Sequence, residues 1–157
     1  MTPRRLVLVV AVLLVCAVAV VSVHPTVLIA GYDTTTVEAV DGDTGERLAT
    51  VEVRIADTLP KRYVGLSATD ELDSGEGMLF VHDEPGEYDY VMRDMAFAID
   101  IVFVDADGRV TAIHEAEPES RPLTTYGGQG QYVLEVRRGW SDDNAVEVGD
   151  GIRFEID

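Results

Sequence analysis

The stretch Phe97–Val104 constrains the fold more than any other part of the chain. It reads Phe-Ala-Ile-Asp-Ile-Val-Phe-Val. In a strand, successive side chains point to opposite faces. Phe97, Ile99, Ile101 and Phe103 therefore share one face, and Ala98, Asp100, Val102 and Val104 share the other. Both faces are apolar, as in a central strand covered on both sides, and Asp100 interrupts one of them. A buried carboxylate without a partner is strongly unfavourable, so Asp100 is predicted to be paired or hydrogen-bonded. Arg93 is the nearest basic residue in sequence, and Arg62 on a predicted short helix is the alternative. These three are the candidates for a structural ion pair.

The neighbouring segments also read as strands and turns. Thr34–Val40 and Leu48–Ile55 flank Asp41-Gly-Asp-Thr-Gly45, a hairpin connection. Val51, Val53 and Ile55 alternate with Glu52 and Arg54, which buries one face. Asp57 or Thr58 is placed to cap a short helix with Pro60 in its first turn and Gly65 near its end. Further strands are predicted at Met78–Val81, Tyr88–Met92 and Val110–His114, with Asp105-Ala-Asp-Gly108 as a hairpin turn after Val104. A Pro- and Gly-rich loop from Pro118 to Gly130 is expected as a rim or lid. Tyr132–Val136 is another strand, Gly139-Trp140 opens a turn or short helix, and Val146–Val148 with Ile152–Ile156 close the pattern. The predicted class is mainly β (α+β), a compact barrel-like or sandwich domain of about seven to nine short strands with one or two short helices.

Ahead of this domain, Arg4 and Arg5 precede an uncharged run from Leu6 to Val23. At the helical rise its 18 residues span about 27 Å, close to the thickness of a bilayer core. The run is long for a signal-peptide apolar region and lacks a clean small-x-small cleavage site. The expectation is a membrane anchor or signal segment over residues 1–30, and one extracytoplasmic β-rich domain over residues 31–157. The arginines set the N-terminus in the cytoplasm, giving a single-pass cell-membrane protein; the alternative is secretion after signal cleavage. The only cysteine, Cys16, lies in the apolar run, so the predicted domain has no disulfide and stands on packing.

Charge narrows the partners. The chain carries −17 at pH 7, and leaving out Arg4 and Arg5 sets 10 basic against 29 acidic residues, or −19. Lys61 is the single lysine. Self-repulsion at that density weakens a small fold in dilute buffer, whereas molar salt shortens the screening length to about 3 Å. The acids are spread along the chain rather than blocked, which points to a high-salt habitat. No basic stripe is available to neutralise phosphates, so no nucleic-acid partner is expected.

Taken in order, Val53-Arg-Ile-Ala-Asp-Thr58, Gly65-Leu66, Glu76-Gly-Met-Leu-Phe80, Met92-Arg93, Ile99-Asp-Ile-Val-Phe-Val-Asp105, Gly108-Arg-Val110, Tyr132-Val-Leu-Glu-Val136, Gly139-Trp140 and Val148-Gly-Asp150 resemble the domain of unknown function 192 family. The resemblance covers roughly Thr50 to Ile156. It implies a small, mainly β, exported or membrane-attached domain and supplies no catalytic residues. Two positions depart from the pattern: Val91 stands where an aromatic precedes the Met-Lys/Arg pair, and Ala98 where a proline precedes Ile/Leu-Asp.

Chemistry then rests on the residues. Ser67, Ser74, Ser120 and Ser141 lie in no Gly-x-Ser-x-Gly elbow, with only His82 and His114 as clear imidazole bases. The two Asp-rich turns lack a calcium loop's closing glutamate, and Gly127-Gly-Gln-Gly130 lacks the lysine of a phosphate loop and reads as flexible. Met78, Met92, Met95 and His114 offer soft donors suited to copper(I), but methionines at such spacing ordinarily fill cores, so no metal and no cofactor is predicted. Arg93 with Asp94 and Asp100, flanked by Tyr88 and Tyr90, suits a small polar ligand, a glycan or a peptide or protein partner. The ligand-binding candidates are Tyr88, Tyr90, Met92, Arg93, Asp100, His114 and Trp140. The predicted role is a binding or assembly module. The alternatives are a cell-surface hydrolase or transferase using paired carboxylates, Asp100 with Glu135 or Glu115, and a metal-handling protein.

Overall fold

The computed structural model describes residues 31–156. The Leu6–Val23 run lies outside them. Among the described residues, no helix is long and apolar enough to cross a membrane.

Seven strands and two short helices follow in the order β1 (Thr34–Val40), β2 (Arg47–Ala56), α1 (Leu59–Val64), β3 (Glu76–Tyr90), β4 (Ile99–Val104), β5 (Val110–Ala116), β6 (Tyr126–Arg137), α2 (Trp140–Asp143) and β7 (Gly151–Arg153). The strands make one mixed sheet, ordered β5-β4-β6-β3-β2-β1-β7. Every pairing is antiparallel except β2 with β3, which are joined through α1. The sheet curls until its two edges meet at one end. There an Arg109–Gly151 bridge forms, with Val110 N–H donating to Asp150 O at 2.8 Å and Ile152 N–H to Gly108 O at 2.7 Å. The result is a half-barrel rather than a sandwich.

Each face of the curled sheet has its own core. The concave side is filled by Val37, Val51, Val53, Leu79, Val102, Val104, Leu134 and Val136, plugged by Trp140 and Val146 from the α2 region. The convex side carries Leu66, Met78, Phe80, Met92, Ile99, Ile101, Phe103 and Val133. β4 is buried along its whole length, with Ile99, Ile101 and Phe103 on the convex side and Val102 and Val104 on the concave side. The alternation read from Phe97–Val104 therefore holds, although the strand begins at Ile99.

Three readings of the sequence change. Met78–Val81 and Tyr88–Tyr90 are not separate strands but parts of β3, whose pairing with β6 shifts register between Val81 and Gly86, and Val91 and Met92 lie beyond its end. Pro85, which has no N–H to give a ladder, falls within that irregular stretch. The expected loop over Pro118–Gly130 ends early, because Tyr126–Gly130 is the start of β6 and pairs with Gly86–Tyr90. The glycines there serve close packing. A Cβ on Gly128 would lie 2.5 Å from the Phe103 ring, and one on Gly130 would lie 2.7 Å from Val104 O. Val146–Val148 is a turn rather than a strand, and only Gly151–Arg153 of the closing segment pairs.

The β3–β6 ribbon doubles back over the convex face. Phe80 and Tyr90, ten residues apart in one strand, meet edge to face with ring centroids 5.1 Å apart, and His82 stacks on Tyr88 at 3.5 Å. Side chains of β5 hold the returning ribbon. His114 Nε2 lies 2.9 Å from Gly127 O, and Thr111 Oγ1 donates to Gln129 O.

Candidate functional site

Between α1 and the end of the ribbon lies a cleft of about 650 Å³. One wall is Leu59–Ser67, and the other runs from Tyr88 to Arg93 with Met95. Phe80, His82 and Glu135 lie between the walls. Local sequence builds the first wall. Pro60 stands in the first turn of α1, and Gly65 ends it at a φ of 51°. Thr58 occupies the N-cap position but makes no side-chain cap bond, and Asp57 instead accepts from Lys61 Nζ at 2.9 Å. A Cβ on Gly65 would come within 3.3 Å of Phe80, so the small residue lets the helix end close on the sheet.

The lips are apolar and wet. Leu59 and Tyr63 are 76% and 71% exposed, and Val91 opposite them is 44% exposed. Arg93 spans this opening, its guanidinium 3.9 Å from the centre of the Tyr63 ring and Nη2 donating to Tyr63 O. Arg62 anchors α1 to the sheet by donating from Nη1 to Asp57 O at 2.9 Å and Val81 O at 2.6 Å.

Glu135 is the outstanding residue of the interior. It is 7% exposed on the convex face, between the cross-strand neighbours Met78 and Ile101. Among the described residues, none forms a hydrogen bond or ion pair with its carboxyl group. Burial pushes its pKa up to about 8, so the group is neutral over most of the physiological range. Burial, helped by Arg62, drives His82 down to about 4, and burial with the nearby Glu135 raises Tyr90. His82 Nε2 and Tyr90 Oη share a 2.9 Å hydrogen bond. The cleft thus holds a neutral carboxyl, a neutral imidazole and a neutral phenol among aromatic rings.

Of the residues singled out in the sequence, Tyr88, Tyr90 and Arg93 do line this cleft. Met92 is buried in the convex core, and Trp140 plugs the concave one. His114 lies over Phe103 and Tyr126 and holds the ribbon. Asp100 is elsewhere altogether. It is 1% exposed on the concave side, where it accepts from Gly139 N–H at 3.0 Å and Ser141 N–H at 2.9 Å, with Arg138 Nε 4.0 Å away. Neither Arg93 nor Arg62 is its partner: their nearest carboxylates are Asp94 at 4.0 Å and Asp83 at 3.9 Å. The interior position was legible; the partners were not, because they are chiefly backbone N–H groups of a distant turn.

The carboxylate pairs fare likewise. Asp100 is in register with Val136 and Ile101 with Glu135, so Asp100 and Glu135 face opposite sides of the sheet. Glu115 is bound by Arg138, which also takes Glu117. Among the described residues, no cluster of three or more His, Cys, Asp or Glu could hold a metal ion.

A seven-stranded half-barrel with a cored face on each side and an aromatic cleft on the convex one defines the class of this domain. The chain belongs to the DUF192 family, described as "Uncharacterized ACR", whose model matches residues 40–154. Solved structures share the fold. A candidate transcription regulator from Sinorhizobium meliloti 1021 is 25% identical with a TM-score of 0.71, over 78% of this chain and 95% of that one. A protein of unknown function from Novosphingobium aromaticivorans DSM 12444 is 27% identical with a TM-score of 0.70, over 80% of this chain and 88% of that one. No curated protein matches the chain.

Proposed function

We propose that this domain is a binding module that receives its ligand in the cleft between α1 and the ribbon. The carrying observation is Glu135, a nearly buried carboxyl with no partner among the described residues, in a cleft of aromatic and apolar side chains. Such a group costs stability, and strongly perturbed groups in clefts cluster at functional sites. The carboxylate pairs expected for hydrolysis do not meet at this opening: Asp100 faces away from Glu135, and Glu115 is engaged by Arg138. Copper handling would need several reachable thioethers, and Met78 and Met92 are core residues, which leaves Met95 as the one of the three on the cleft. The regulator designation of one structural neighbour is not extended to this chain, whose −17 charge opposes contact with phosphates.

The test is ligand-observed NMR on the full chain in molar salt, against small polar molecules, oligosaccharides and peptides. Hits should weaken when the exposed lip residue is changed by Val91→Arg, which adds bulk and a positive charge at the opening, with the melting temperature unmoved. Hits indifferent to that change would put the binding surface elsewhere.

The arginine-flanked Leu6–Val23 run supports placing the domain outside the cytoplasm on a membrane anchor. The protein should then stay with membranes through high-salt and carbonate washes. Recovery of a soluble mature form beginning near Gly31 would favour signal cleavage instead.

A further inference from the structure

We infer that the cleft selects a primary ammonium group carried on a slender apolar stem, and that Glu135 gives up its proton when that cation arrives. The inference rests on the binding reading and adds the chemical class of ligand. A nearly buried carboxyl group that opens onto a cleft and has no partner among the described residues has its most favourable complement in a cation that ionises it. The protein's own nearby cations are otherwise engaged. Arg62 is turned onto the carbonyls of Asp57 and Val81, and Arg93 onto Tyr63. Tyr90 and Phe80 line the cleft with Glu135, and aromatic rings suit both a methylene stem and a positive head.

The groups around Glu135 leave it as the one that responds near neutrality. α1 presents Arg62, and β3 presents His82, Tyr88 and Tyr90. His82 is neutral well above pH 4 and Tyr90 is raised, while Asp89 and Arg93 lie on the wall beyond them. The neighbouring strands contribute Met78 and Ile101, which do not titrate, and His114 one strand further is over Phe103 and Tyr126. On binding, the O–H bond of Glu135 breaks, its proton goes to buffer, and the carboxylate pairs with the ammonium, which keeps its own three protons.

The experiment titrates hexylammonium chloride, 1-hexanol and sodium hexanoate into the full chain by calorimetry. It is run at pH 6, 7 and 8 in buffers of differing ionisation heat, at constant high salt. Hexylammonium should bind at least tenfold more tightly than hexanol, with release of about one proton at pH 6, and roughly tenfold more tightly at pH 7 than at pH 6. Infrared difference spectra should show a protonated carboxyl band lost on binding. Glu135→Gln, which keeps the shape and neutrality of the free site, should remove the proton release and the band and weaken the cation at least tenfold at pH 8. Hexanol or hexanoate binding as well as the cation, or cation binding without proton release, would overturn the inference and leave the cleft a binding site. Failure of all three probes would overturn it too. The broader reading would fall only if the larger ligand panel also failed to respond to Val91→Arg.

Discussion

Asp100 and Glu135 stand one position out of cross-strand register on β4 and β6, and that single residue sends them to opposite environments. Asp100 is satisfied by two backbone N–H groups, which it keeps from being buried unpaired. Asp100→Ala should therefore cost about 2–5 kcal/mol, since each orphaned group costs roughly 1–3. Asp100→Asn keeps one acceptor and should cost less. Denaturant melts would show this, and a double-mutant cycle with Arg93 or Arg62 should show no coupling. Glu135 behaves in the opposite sense. Its folded pKa of about 8 lies above its ordinary value, so the folded state holds a proton that the unfolded state has lost. Its favourable effect is complete below about pH 4.5 and is lost as pH rises to about 8. His82, lowered to about 4, works the other way, its stability contribution rising with pH between about 4 and 6.5. The clean window is therefore pH 6.5 to 8. There the wild type should lose stability relative to Glu135→Gln by up to about 1.4 kcal/mol per pH unit. Parallel stability curves for the two proteins would mean that Glu135 is ionised throughout.

The β3–β6 ribbon shows why some elements were legible and others were not. β4 could be read from its two apolar faces, and the turns after β1 and β4 from Asp and Gly at the required places. Asp41 Oδ1 accepts from the N–H groups of Asp43 and Thr44, and Asp105 Oδ1 from those of Asp107 and Arg109. The ribbon defeated the same reasoning because Pro85, Gly86 and Gly127-Gly-Gln-Gly130 are loop signals in a local window. Their meaning is tertiary: β3 slips register at Pro85, and Gly128 gives way to the Phe103 ring. The cleft was half-legible for a similar reason. Tyr88, Tyr90 and Arg93 were found as neighbours in sequence, but α1 comes to face them only through folding. Gly128→Ala should cost about 1–3 kcal/mol, because a stiff, fully buried ring must move. Gly127→Ala meets only the end of the Asp89 side chain, at 2.9 Å, and should be far milder. Equal melting temperatures for the two variants would mean that the ribbon does not press on Phe103.

At the scale of the whole molecule, charge governs. With 29 acidic against 10 basic residues, a net charge of −19, the folded domain concentrates like charges that the unfolded chain spreads apart. Its melting temperature should climb steeply from dilute buffer to molar sodium or potassium chloride as the repulsion is screened. A flat or falling curve would mean that the acidity is not an adaptation to salt. Closure of the sheet has a consequence for how the molecule comes into being. β1 completes its pairing with β7, and Val40 meets Gly151 across 111 residues. Until β7 is in place, the β1–β2 hairpin therefore keeps a free edge. Such long-range pairing is slow and leaves apolar surface uncovered meanwhile. Val37, Ala39, Val51 and Val53 on that hairpin face a lumen that does not yet exist. Until β7 pairs, the half-built sheet leaves that surface open, and the seam at Arg109–Gly151 marks its closure.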